Sequence, residues 1–110
     1  MANKYLREYL TPDAATETEI YTAPDANNAI LSSLRVTNDN ANTATISAAI
    51  YPDGGATPYK LMKTYVLPPA QTLDVLSGVP CVLIAGDVLK VTASVADVDF
   101  YLSYVEIDRS

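Results

Sequence analysis

Val88-Leu89-Lys90-Val91-Thr92-Ala93-Ser94-Val95 (VLKVTASV, 88–95) sets Leu89, Val91, Ala93 and Val95 on one side of an extended chain and Lys90, Thr92 and Ser94 on the other. A period of two over eight residues marks a β-strand with one face in a core and one in water. The pattern recurs outward from this stretch. In 43–51, Ile46, Ala48 and Ile50 oppose Thr45, Ser47 and Tyr51. In 29–37, Ile30, Leu34 and Val36 share a face with Ser32. In 59–67, Leu61, Tyr65 and Leu67 oppose Met62, Thr64 and Val66, so both faces read as partly covered. Residues 18–22 and 71–76 are shorter candidates.

Turn chemistry separates these segments. Breaks fall at Thr11-Pro12-Asp13, Ala23-Pro24-Asp25, Asn38-Asp39-Asn40, Pro52-Asp53-Gly54-Gly55, Pro68-Pro69, Ser77-Gly78-Val79-Pro80, Ala85-Gly86-Asp87 and Ala96-Asp97. Gly, Asn and Asp tolerate positive φ, and Pro presets a turn while removing a ladder donor. Thr11-Pro12-Asp13-Ala14-Ala15 has a cap for a short helix, but Thr16, Thr18 and Ile20 favour strand. The expectation is an all-β chain: a single antiparallel β-sandwich, Ig-like or jelly-roll-like, of about seven or eight short strands. Residues 13–110 form the sandwich domain, with 1–12 as an N-terminal arm or a first strand.

The final segment, VDFYLSYVEI, carries two phases. Val98, Phe100 and Leu102 fit one face; Val105 and Ile107 follow on the opposite parity. Either a β-bulge near Ser103-Tyr104 restores one apolar face, or the strand is covered on both sides.

The whole chain has 110 residues, enough for one domain with a core of its own. Its net charge is −6, with 13 acids against 7 bases and no basic stripe, which excludes a direct nucleic-acid binder. No apolar run is long enough to span a bilayer, and charges interrupt the apolar residues of the N-terminus, so neither a membrane segment nor a signal peptide is expected. Cys81, the only cysteine, lies among apolar neighbours and reads as a small buried hydrophobe.

Catalytic chemistry is not apparent. The chain has no His, which removes the commonest general base and the nucleophile pairs built on it. Asp97 and Asp99 alternate opposite Val98, Phe100 and Leu102 and read as surface acids; Asn38-Asp39-Asn40 and Asp53-Gly54-Gly55 read as turns. No enzyme activity, cofactor or metal is expected.

Several runs resemble small tailed-bacteriophage virion proteins of β-sandwich type. Ile20-Tyr21-Thr22-Ala23-Pro24 and Leu34-Arg35-Val36-Thr37-Asn38 are similar to that family's first two core strands. Val66-Leu67-Pro68-Pro69-Ala70-Gln71-Thr72-Leu73 is similar to its proline corner, and Ile84-Ala85-Gly86-Asp87-Val88-Leu89-Lys90-Val91-Thr92-Ala93-Ser94 to its Gly-Asp hairpin. Phe100 to Ile107 fits its terminal strand, where the family commonly has Gly at the place of Tyr104. The likeness spans roughly residues 16–108; Asp25-Ala26-Asn27-Asn28 departs from it. It implies a non-enzymatic virion component, located in the virion after assembly in the bacterial cytoplasm. A capsid decoration (cement) protein is the first expectation, and a neck or tail accessory ring the alternative. The implied partners are the chain itself, in a closed ring such as a trimer, and the major capsid protein or neck and tail proteins. A carbohydrate- or host-surface-binding module, using Tyr51, Tyr59 and Tyr65, is a third reading.

Residues 4–10 (KYLREYL) alternate Tyr5, Arg7 and Tyr9 against Leu6, Glu8 and Leu10. Tyr and Arg are enriched at interface hot spots. Tyr5, Leu6, Arg7, Tyr9 and Leu10 are therefore the candidate partner-binding residues. Three forms fit the segment: an arm added to a neighbour's sheet edge, the first strand of its own sandwich, or a short amphipathic helix.

Overall fold

The computed structural model describes residues 3–24, 27–77 and 79–108. Asp25 and Gly78, which the sequence places in turns, lie outside them, as do Ala26 and residues 1–2 and 109–110. The described residues form nine strands: β1 (Asn3–Leu10), β2 (Thr18–Thr22), β3 (Asn27–Asn38), β4 (Ala44–Tyr51), β5 (Tyr59–Leu67), β6 (Thr72–Asp74), β7 (Cys81–Leu83), β8 (Val88–Ala93) and β9 (Val98–Asp108). One 3-10 turn, Pro52–Gly54, follows β4. No helix among the described residues is long and apolar enough to cross a membrane.

Two antiparallel sheets pack face to face. One runs β1-β9-β3, with β6 and β7 both pairing the far side of β3; the other runs β2-β8-β4-β5. Strands alternate between the sheets at both ends of the chain, so the outermost pairs β1/β9 and β2/β8 nest around β3 and β4. Two interleaved Greek keys of this kind make a jelly roll. The sandwich expected from the sequence is present, and its order decides between the two forms left open. The segment expected at 71–76 contains β6, and the strand number falls short by β7, whose three residues are too brief for an alternation to show.

The core forms where the inner faces meet. Phe100, Leu31, Leu34, Ile46, Leu83, Leu89, Leu102, Val36, Val91 and Val98 are fully buried. The alternations of β4 and β8 hold as expected: Ile46, Ala48, Leu89, Val91 and Ala93 point inward. Bulges alter three other strands. Leu31 pairs Tyr104 and Ser33 pairs Ser103, so Ser32 is an extra residue in β3. Leu31 and Leu34 therefore both point inward, and Ile30, expected on the core face, points outward with Val105. In β2, Ile20 is the extra residue, and Ile20 and Tyr21 are both buried. In β5 the register shifts twice against β4, and the strand is an exposed edge rather than one covered on both faces.

The bulge considered near Ser103-Tyr104 is not there. β9 pairs β1 without interruption from Leu10↔Phe100 to Asn3↔Ile107. Val98, Phe100, Leu102 and Tyr104 are buried on one parity. Val105 and Ile107 lie on the other and so face outward. Residues 11–17 contain a turn at Ala14-Ala15 and no helix.

Candidate docking surface

The pairing of β1, β9, β3, β6 and β7 assembles an outer face that no single segment displays. Directly paired residues of antiparallel strands share a face. Tyr5 pairs Val105, Val105 pairs Ile30, and Ile30 pairs Val82. Four apolar side chains thus cross the sheet in one row on its solvent side. The next row is Arg7, Ser103 and Ser33; the third is Tyr9, Tyr101, Arg35 and Asp74. Thr37 and Thr72 close the far end, their hydroxyls 3.0 Å apart, and Asp99 beside them accepts a bond from Thr11 Oγ1 at 2.7 Å.

Cation–π contacts hold the third row together. The Tyr9 and Tyr101 rings lie 5.8 Å apart at a tilt of 48°. Arg7 sits 5.6 Å over Tyr9, and Arg35 5.9 Å over Tyr101. These contacts pre-order long side chains, which lowers the entropy lost when a partner arrives. Exposure remains high: Tyr5 is 83% accessible, Tyr9 66% and Val82 59%. A shallow depression lined by Tyr5, Arg7, Ser32, Tyr101, Ser103 and Val105 runs between β1 and the β3 bulge.

Opposite, the outer face of the second sheet is mainly polar, with the exposed Val66 paired to Thr45 at its edge. Glu19, Lys90, Ala49 and Lys60 form one row, with Ser47 and Thr92 beside it. Tyr51 on this face is engaged: its hydroxyl donates to Glu17 at 2.7 Å and Lys90 Nζ lies 4.4 Å over its ring. Tyr59 and Tyr65 pair Ile50 and Ile46, on the other parity. The three tyrosines considered as a sugar platform do not share a face.

Of the five sequence candidates, Tyr5, Arg7 and Tyr9 stand on the outer face. Leu6 and Leu10 point to the other side of β1, where Leu10 packs against the core rim and Leu6 is 38% exposed. The segment pairs β9 of its own chain. Tyr101, Arg35, Ile30 and Val82 complete the face and were missed in the sequence, because three separate strands, β9, β3 and β7, supply them. The signal that pointed there was the odd phase of Val105 and Ile107. Cys81 points inward opposite Leu31, half-buried, and burial followed by the nearby Asp87 carboxylate pushes its thiol up. That is the opposite of an activated thiolate.

No protein-family model matches the sequence, and no curated protein matches it. Among solved structures, a subunit of the disulfide-linked pili formed by Bacillus endospore appendages superposes over 99% of this chain and 88% of its own, with a TM-score of 0.59 at 15% identity. Two structures of a pentameric capsid protein isolated from metagenomic phage sequences superpose over 96% of this chain at 20% identity. Their TM-scores are 0.48 and 0.47, and the chain spans 62% and 63% of their lengths. At these identities the pilus subunit's likeness is one of fold.

Proposed function

We propose that the protein is a non-enzymatic structural component of a bacteriophage particle, and within the particle a capsid decoration protein. It docks on the major capsid protein through the outer face of the β1-β9-β3 sheet and associates with copies of itself. Of the five sequence candidates, Tyr5, Arg7 and Tyr9 are contacts of that face and Leu6 serves the self-association at the edge of β1, while Leu10 packs against the core rim. One observation carries this reading: Tyr5, Val105, Ile30 and Val82 form an apolar row on a face that nothing in the described chain covers. An outward apolar row on one sheet, against a polar row on the other, fits a surface covered by another molecule.

The sequence likeness to small phage virion proteins supports the same reading. Jelly rolls recur in capsid and lectin domains, although a fold alone assigns no function. Tyr and Arg enrichment at the face suits a protein–protein contact, and the symmetry of a shell multiplies weak contacts by avidity. Copy number tests the proposal. Quantitative peptide mass spectrometry on purified particles should find hundreds of copies. About a dozen or fewer would move the protein to a neck or tail ring, whose rotational symmetry sets so small a number. Absence from clean particles would overturn the virion reading.

A further inference from the structure

We propose that the free edge of β1 pairs with the same edge of a second copy, antiparallel, about a two-fold axis through Leu6. The proposal deepens the self-association above and rests on it for its biological setting. It begins with the four edges of the sandwich. An open edge is a template for another strand, and proteins blunt edges by shortness, bulges and charge. β2 is five residues long and bulged at Ile20. β5 carries two register shifts, Lys60 and Lys63, and a Thr64 at φ 46° whose N–H turns to Ser47 Oγ at 3.0 Å. β6 and β7 are three residues each, with Ser77 at φ 54° between them. β1 alone is long and regular. Its eight residues pair β9 in unbroken register, with no Pro, Gly or positive φ, and Lys4 to Tyr9 are all exposed.

The occupant follows from the sequence of that edge. When one strand pairs with its own copy about a two-fold axis normal to the sheet, facing residues keep the same parity and share a face. Centred on Arg7, the pairing sets Arg7 against Arg7 and Leu6 against Glu8. A centre at Glu8 sets two carboxylates against each other, and one at Tyr5 leaves Lys4 opposite Leu6. Centred on Leu6, Lys4 faces Glu8 of the second copy, Tyr5 faces Arg7, and Leu6 meets Leu6. Every charge then has an opposite charge or an aromatic ring across from it, each twice by symmetry. The axis also keeps both outer faces on one side, so the Tyr5–Val105–Ile30–Val82 rows of two copies present one enlarged docking surface.

Cysteine trapping tests the register in a Cys81→Ser background. Paired Cα atoms in antiparallel strands lie roughly 4.5–5.5 Å apart, within disulfide reach. Leu6→Cys should cross-link to itself under a mild glutathione couple. Tyr5→Cys and Arg7→Cys should each stay uncross-linked alone and cross-link when mixed. A Leu6→Cys variant that stays monomeric, or equal cross-linking at all three positions, would overturn the pairing.

Sedimentation velocity gives the second readout, with circular dichroism confirming that each variant folds. The unmodified protein should be a dimer. Lys4→Glu and Glu8→Lys should each weaken it by about tenfold at low salt, and the double swap should restore it. Tyr104→Phe, which removes only the partner of Glu8 within the chain, should leave the dimer unchanged. A trimer, a monomer, or a dimer indifferent to the swaps would overturn the edge pairing while leaving copy number in particles to judge the structural reading.

Discussion

Asn38 holds one end of the sandwich closed. It is fully buried, the one buried polar residue among those described. Its Nδ2 donates to the carbonyls of Asn42 at 2.9 Å and Leu67 at 3.0 Å, and its Oδ1 accepts from Asn40 N–H at 2.9 Å. Its backbone N–H and C=O bond Gln71 and Ala70. One side chain thus ties the end of β3 to the proline corner that carries the chain from one sheet to the other. Asn38→Ala would strand three backbone groups, at a cost of about 2–3 kcal/mol. Urea denaturation should show that loss; a variant within about 0.5 kcal/mol of the parent, the range of an ordinary surface change, would contradict it.

Tyr21 and Tyr104 act at the same scale. Their rings lie 4.3 Å apart, Tyr21 donates to Glu106 Oε2 at 2.7 Å, and Tyr104 to Glu8 Oε2 at 3.2 Å. Burial, then the bond to Glu106, raises the Tyr21 phenol far above its usual range; burial, then the charge of Glu8, raises Tyr104. A folded pKa above the unfolded value of 10.0 means stability is whole below that pH and is lost as pH rises past it toward the folded values. The urea midpoint should therefore hold to about pH 10 and fall beyond it. The Tyr21→Phe/Tyr104→Phe double variant should fall less steeply there. Equal slopes for parent and variant would contradict the assignment.

The strands show what was legible and what was not. β4 and β8 could be read directly, because regular pairing preserves their alternation. β3 could not: the extra Ser32 carries no local mark, and it moves Leu31 inward and Ile30 outward. The same slip explains why Val105 and Ile107 looked misplaced. Their phase is that of a second face, visible only once Ile30 is known to lie beside Val105. KYLREYL stayed ambiguous between arm, strand and helix because its alternation satisfies a strand whichever sheet it joins, and the partner β9 lies at the other end of the chain. Deleting Ser32 tests the role of the bulge. Leu31↔Tyr104 and Ser33↔Ser103 would become consecutive rungs of one ladder, so Leu31 and Ala29 stay inward and the urea midpoint should correspond to a change within about 0.5 kcal/mol of the parent. A loss of about 3 kcal/mol, the scale of turning Leu31 and Ala29 to solvent, would contradict the assignment of Ser32 as the extra residue.

At the scale of the molecule, the asymmetry between the two outer faces organises the account. One is mainly polar, with Tyr51 already bound to Glu17 and Lys90 and Val66 exposed at its edge. The other joins an apolar row to an Arg–Tyr–Tyr–Arg cluster beside a long strand edge without bulges. Its five strands come from the two ends and the middle of the chain, so only the folded topology reveals it as a surface. Hydroxyl-radical footprinting, read by peptide mass spectrometry on free protein and on purified particles, tests the central claim most directly. The account predicts that Tyr5, Tyr9, Tyr101 and Val82 are modified in the free protein and protected in particles, while the exposed Tyr59 and Tyr65 of β5 stay reactive in both. Protection confined to Tyr59 and Tyr65, or unchanged reactivity at Tyr5, Tyr9, Tyr101 and Val82, would contradict it.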